Sequence, residues 1–283
     1  MEKWLENEFA NLKISTYGAE WKELYWKPWN RNILWEGKEE VWPFSAPLCF
    51  PWCSRIDDGY FLEDNQKFPA KIHGFIAEQN FETVCQQEDS VTLKTTWKQD
   101  SRVWPWSFSF EMRYSLEGPE IVSEWCITNL SRNPMPVQFG FHTGFQCPFL
   151  PDTRLEDYVF RFQKTEPSVG SGVIRITRSM FDHGRIAFGG LQSDWVEVLE
   201  TQSGRSVRVS IKGYPYLQLW SKPQIPGFVC VEPWTGVYGP GHDLFERPGA
   251  VPVKSGARLH AVHRVQVCEH TLCNGGNYVK YND

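Results

Sequence analysis

Between residues 91 and 129 apolar and polar side chains alternate in three runs, over 91–97, 106–114 and 121–129. In the second run Trp106, Phe108, Phe110, Met112 and Tyr114 fall two residues apart. An extended strand puts all five on one face, which no helix of period 3.6 can do. Gln99-Asp100-Ser101 and Glu117-Gly118-Pro119 separate the runs as turn signals. The pattern predicts an antiparallel meander with one apolar face. A hairpin is expected over 10–26 with its turn at Gly18, continuing in the same manner to Trp35. Further strands are expected near 194–200, 206–212 and 216–220. A last strand would put Leu259, Ala261, His263, Val265 and Val267 on one face and His260 on the other. Residues 150–172 and 236–252 lack a period and are expected as loops. Hardly any helix is expected. The reading is all-β, with one domain over 1–267 and an unassigned tail over 268–283.

A chain of 283 residues with 41% hydrophobic content can bury a large core in one all-β domain. Its net charge of -5 and the absence of a Lys/Arg run argue against a nucleic-acid surface. No stretch of ~18 apolar residues is present, so no membrane association is expected. The first residues, Met1 to Glu8, contain no apolar signal core, and Cys126 and Cys230 fall within strand-like runs. The eight cysteines are therefore expected as reduced thiols in a cytoplasmic protein. Cys49 and Cys53 lack a second pair at ligand spacing, and Cys268, His270 and Cys273 sit in the tail. No metal and no cofactor is expected.

Polar residues with chemical potential stand at the edges of apolar segments. The run 228–232, Phe-Val-Cys-Val-Glu, reads as a buried strand ending at Glu232, because Pro233 cannot donate to a ladder. A carboxylate there is either paired or used. Trp234 beside it offers a flat apolar face with a donor edge, a good start on a sugar site. The loop around 46–59 holds Trp52 and Arg55. On spacing alone Arg55 is a surface residue pairing with Asp57 or Asp58, and its alternative is a planar fork for two hydroxyls. His73 precedes Gly74, which permits a tight bend. His142 lies between Phe141 and Thr143 in a glycine-punctuated strand over 137–145. Taken singly, each histidine reads as an ordinary hydrogen-bonded residue, and Asp182 as a turn residue.

Five segments taken in order resemble the aldose 1-epimerase (galactose mutarotase) family, its LacX-like branch in particular. They are Phe50-Pro51 through Arg55-Ile56, His73-Gly74-Phe75, Phe139-Gly140-Phe141-His142, Phe181-Asp182, and 230–236, Cys-Val-Glu-Pro-Trp-Thr-Gly. The resemblance implies a large antiparallel β-sandwich. It also implies a catalytic glutamate at Glu232, a general-acid histidine at His142 and a second active-site histidine at His73. The substrate-binding arginine falls on Arg55 and the substrate-binding aspartate on Asp182. Trp52 or Trp234 would stack on the sugar ring. Thr143 departs from the proline common in the family after the second histidine. The implied reaction interconverts α and β anomers of a free hexose, in a monomer or homodimer whose partner is a small-molecule sugar. Three rivals remain. A hexose-6-phosphate 1-epimerase would need a cationic cluster, for which Arg55 and Lys71 are candidates. A non-catalytic sugar-binding protein could share the fold. A glycosidase would pair Glu232 with Asp182. Specificity is expected from loops at 57–70, 150–170 and 236–252.

Overall fold

The computed structural model describes residues 1–100 and 102–269, with the backbone of two short strands at Cys273–Asn274 and Asn277–Tyr278. The side chains of His270 and Cys273, weighed above as metal ligands, lie outside the described residues.

The meander forms as the alternation requires. Ser90–Trp97, Phe108–Glu117 and Glu120–Asn129 pair antiparallel within a nine-stranded sheet. Phe108, Phe110, Met112 and Tyr114 are buried in register. The sheet runs, edge to edge, through Ser171–Arg175, Tyr158–Glu166, Trp195–Glu200, Ser206–Ser210, Arg258–Cys268 and then the meander to Glu82–Gln86. The N-terminal hairpin pairs Ala10–Ser15 with Trp21–Trp26, as expected. The stretch after it does not continue in strand form: a 3-10 turn spans Lys27–Trp29 and only Arg31–Asn32 extends the sheet.

One expected loop is a hairpin. Tyr158–Glu166 and Ser171–Arg175 pair with each other, and the first also pairs with Trp195–Glu200. Tyr158, Val159 and Phe160 are all buried, so both faces of this strand are covered and the period of two is erased.

A second sheet carries the functional side chains. We label its strands β1 (Leu48–Cys49), β2 (Gly140–Phe141), β3 (Thr143–Gln146), β4 (Ile186–Gly189), β5 (Tyr216–Trp220) and β6 (Phe228–Trp234). The order is β4-β5-β6-β2-β1, with β3 also pairing β6. Phe145 of β3, Leu217 and Leu219 of β5, and Val229 and Val231 of β6 join the main core, with Phe141 and Leu48. Aromatic rings fill the gap: Phe141 stacks on His263 at 4.3 Å and Phe50 meets Phe108 at 4.9 Å. The opposite face opens onto a cavity. Glu232 does not end its strand: β6 runs on through Pro233, pairing Leu217 with Pro233 and Tyr216 with Trp234. Glu232 therefore stands inside the sheet, flanked by strands on both sides.

Candidate active site

Strand register assembles the floor of the cavity. On β6, Glu232 lies opposite Gln218 of β5. The β6–β3 register pairs Thr143 with Val231 and the β6–β2 register pairs Gly140 with Trp234. His142, between these pairs, is thereby set across from Glu232. Gln218, Glu232 and His142 form one row across the sheet, each at least nine-tenths buried. His142 Nε2 is 3.4 Å from Glu232 Oε2. Glu232 Oε1, His142 Nδ1 and both amide atoms of Gln218 have no hydrogen-bond partner. Buried polar atoms are nearly always paired in folded proteins. Four unpaired atoms in one row, at the base of a cavity, are groups held ready for a polar ligand.

Burial governs the protonation of this row. It pushes the Glu232 carboxyl well above the usual carboxylate range, and the Arg185 guanidinium works against it. Burial likewise pushes His142 well below the ordinary imidazole value, with His73 adding to the effect. Both groups lean to the neutral form, so the pair holds one proton, on the carboxyl. Burial also pushes the nearby Cys49 and Cys230 thiols well up, so neither is a thiolate nucleophile.

His73 enters from a loop clamped to the strand before it. Phe50 N–H donates to the His73 carbonyl at 3.1 Å, and Phe75 N–H donates back to the Phe50 carbonyl at 3.0 Å. His73 and Gly74 both take positive φ, 63° and 78°. A Cβ on Gly74 would lie 2.1 Å from the Phe50 carbonyl oxygen, so only glycine fits there. The Ser54 backbone N–H donates to His73 Nδ1 at 3.1 Å. That bond fixes the tautomer: the proton sits on Nε2. Burial, with Arg185 adding to it, lowers the His73 pKa to about 4. His73 is therefore a neutral N–H donor, 5.2 Å ring to ring from His142. The turn that holds it is anchored by buried Arg247, whose Nη2 donates to the Cys53 carbonyl at 2.8 Å.

The cavity has a volume of about 570 Å³. Glu232, His142, His73 and Trp234 all line it, from four separate segments. Trp234 is nearly buried and donates to the Phe141 carbonyl at 3.0 Å; its ring packs edge-on to His73 at 5.3 Å. Three expected site residues do not line the cavity. Trp52 is in the core against Phe61 and Trp104, with its Nε1 donating to the Lys71 carbonyl at 2.8 Å, so it offers no face to a sugar. Arg55 is exposed, its guanidinium 5.4 Å over the Tyr238 ring. Asp182 is exposed and accepts from Gln224 Nε2 at 3.0 Å. The pairing of Glu232 with Asp182 that a glycosidase would need is therefore not formed. The expected specificity loops at 57–70, 150–170 and 236–252 contribute nothing to the lining.

What lines the walls instead is Trp42, Phe44, Trp220, Lys71, Arg185 and Lys222. Trp42 and Trp220 hold the His142 imidazole between them, at 5.0 and 5.5 Å. The sequence does carry a signal for part of this. In Tyr-Leu-Gln-Leu-Trp the leucines take one face, leaving Gln218 and Trp220 together on the other. Among the described residues, His142, Cys230 and Glu232 bring ligand atoms within 4.8 Å of one another, a spacing that could hold a metal ion. This grouping shares two members with the acid–base pair.

Comparisons with known proteins bear on the family and the fold. A family model described as aldose 1-epimerase matches residues 4–169. Protein LacX (plasmid) of Lactococcus lactis subsp. lactis is 27% identical over 263 residues, covering 82% of this chain and 87% of its own length. The structure of a galactose mutarotase related enzyme from Lactobacillus acidophilus superposes with a TM-score of 0.89 at 21% identity, covering 96% of this chain and 98% of that one. A galactose mutarotase-like protein from Lactobacillus casei ATCC 334 gives 0.87 at 20% identity, covering 95% and 100%. No helix among the described residues is long and apolar enough to cross a membrane.

Proposed function

The chain belongs to the aldose 1-epimerase family, and from that membership and the site geometry we propose that it interconverts the α and β anomers of a hexose. The observation that carries the reading is the contact of His142 Nε2 with Glu232 Oε2 at 3.4 Å on the floor of a cavity that His73 also lines.

Mutarotation removes the proton from the anomeric O1–H and delivers one to the ring oxygen O5. The C1–O5 bond breaks, C1=O1 forms, rotation about C1–C2 exposes the other face, and reclosure reverses the proton transfers. Glu232 takes the O1 proton and His142 protonates O5. Each such transfer contributes typically ~10²–10⁴-fold. Opening starts from a carboxylate and an imidazolium and leaves a carboxylic acid and a neutral imidazole. That product state is the one burial favours for this pair. The site thus stabilises the protonation state that accompanies the open-chain aldehyde, and Arg185 offsets part of the cost of the ionised carboxylate. His73, fixed with its proton on Nε2, donates to a ring hydroxyl or to O5 and orients the sugar. Gln218 serves a further hydroxyl with its free amide, and Trp220 offers a ring face for stacking.

The test is Glu232→Gln, which keeps shape and removes the base. Mutarotation of α-glucose and α-galactose followed by polarimetry should fall to the uncatalysed rate, with the far-UV circular dichroism unchanged. Full activity in the variant removes Glu232 from the base role. Intact sugar binding without any acceleration by the unmodified protein favours a non-catalytic binder.

A further inference from the structure

Three cations line the cavity: Lys71, Arg185 and Lys222. Lys71 is occupied by Glu78 at 2.6 Å. Arg185 and Lys222 are exposed, and neither forms an ion pair or hydrogen bond with another described residue. The lining carries only two carboxylates, Glu78 and the buried Glu232. This is a cationic mouth on a chain whose net charge is -5. The wall where an aspartate was expected to bind sugar hydroxyls shows the opposite charge. Asp182 turns outward to Gln224, and the next turn presents Gly184 and Arg185 to the cavity.

Resting on the mutarotase reading above, we infer that the sugar this site takes carries an anionic substituent, a phosphate or carboxylate, held by Arg185 with Lys222 in support. Arg185 eases the ionisation of Glu232, but its hydrogen-bond donors and those of Lys222 have no partner among the described residues. A guanidinium matches an oxyanion with two parallel hydrogen bonds, while an ammonium adds an unoriented positive charge. A cleft with one sign of charge at its mouth also concentrates ligands of the opposite sign. The cavity of about 570 Å³ falls within the range that holds ligands larger than a bare pyranose.

The experiment compares glucose and galactose with their 6-phosphates and with glucuronate. Anomer exchange is followed by NMR for the unmodified protein, Arg185→Gln and Lys222→Gln. Both side chains are exposed, so the fold should survive, and circular dichroism checks this. One of the anionic sugars should show the highest kcat/KM, and the phosphate and uronate arms identify which anion fits. Arg185→Gln should lower kcat/KM for that sugar about 10- to 100-fold more than for the neutral one, the worth of a charged hydrogen bond. Any effect of Arg185 on Glu232 is common to both sugars and cancels in the ratio. Lys222→Gln should show a smaller drop, and added salt should erode the preference. A neutral sugar preferred over every anionic one, with Arg185→Gln lowering both alike, overturns the inference and leaves the mutarotase reading standing. If no sugar is accelerated, the mutarotase reading fails. Calorimetric titration of the same sugars then decides the anion: Arg185-dependent binding sustains it, and its absence overturns it.

Discussion

His263 should make this fold sensitive to mild acid, by an amount the structure fixes. Its ring is 1% exposed and stacked on Phe141, the residue before His142. Nδ1 lies 3.2 Å from the Ser210 carbonyl, which can only accept, so Nδ1 carries the proton. Nε2 is buried without a partner. Protonating Nε2 would place a charge beside the Phe141 and Tyr214 rings, and burial accordingly lowers the pKa from 6.5 to about 3. The unfolded chain takes up a proton below 6.5 and the folded one does not until about 3. Stability from this residue is thus complete above pH 6.5 and lost as the pH falls through that window. Linkage gives about 1.4 kcal/mol per pH unit, hence about 2 kcal/mol lost between pH 7 and pH 5. His263→Asn retains an amide N–H for Ser210 and cannot titrate. At pH 7 it should cost about 1–3 kcal/mol through lost ring packing. Urea unfolding followed by tryptophan fluorescence at both pH values would measure the gap to the unmodified protein. That gap should shrink by about 2 kcal/mol at pH 5. A gap constant to within about 0.5 kcal/mol refutes the claim that a neutral, desolvated imidazole sits at 263.

Two further substitutions test the walls of the cavity. Gly140→Ala would put a Cβ 2.1 Å from the Trp234 ring, which its own hydrogen bond holds in place. It should destabilise by about 1–3 kcal/mol in urea unfolding and lower kcat by displacing the indole that walls His73. Trp220→Ala should raise KM about 3- to 10-fold in polarimetric assays, the worth of one ring stack, with a smaller change in kcat.

The meander and the sandwich are legible because one covered face leaves a period of two, as at Phe108, Phe110 and Met112. The hairpin at 158–175 is not legible, because Tyr158, Val159 and Phe160 are covered on both sides. Glu232, His142 and His73 stand in motifs whose backbone geometry is constrained, and the fold brings all three to one cavity. Arg55 and Asp182 rest on the family resemblance, and Trp52 on its place inside the first of those segments. Nearness in sequence does not say which way a loop side chain turns: Trp52 turns into the core and Asp182 turns to Gln224. Arg185 and Lys222 carry no local signal at all. Exposed cations look alike in a sequence, and only the approach of distant segments makes two of them the mouth of a cavity.

The two faces of the site sheet show why function settled on one of them. On the core face Leu217, Leu219, Val229, Val231 and Phe141 are apolar and packed into the main core. On the other face Gln218, Glu232 and His142 keep four buried polar atoms without partners. Each such atom costs about 1–3 kcal/mol, and apolar side chains of similar shape would remove that loss. A sheet needing only stability would carry leucines there too. The aromatic surround of Trp42, Trp220 and Trp234 makes the loss larger by excluding water, yet the same burial raises the Glu232 carboxyl and lowers His142, which puts the shared proton on the carboxyl. A wetter pocket would ionise Glu232 readily and leave His142 with its ordinary basicity, so the proton would move to the imidazole. On the proposed reading, dryness under the row and cations at the mouth are therefore complementary: one would set the proton balance at the anomeric end, the other would supply the charge that draws a ligand into a place where burial alone would repel it.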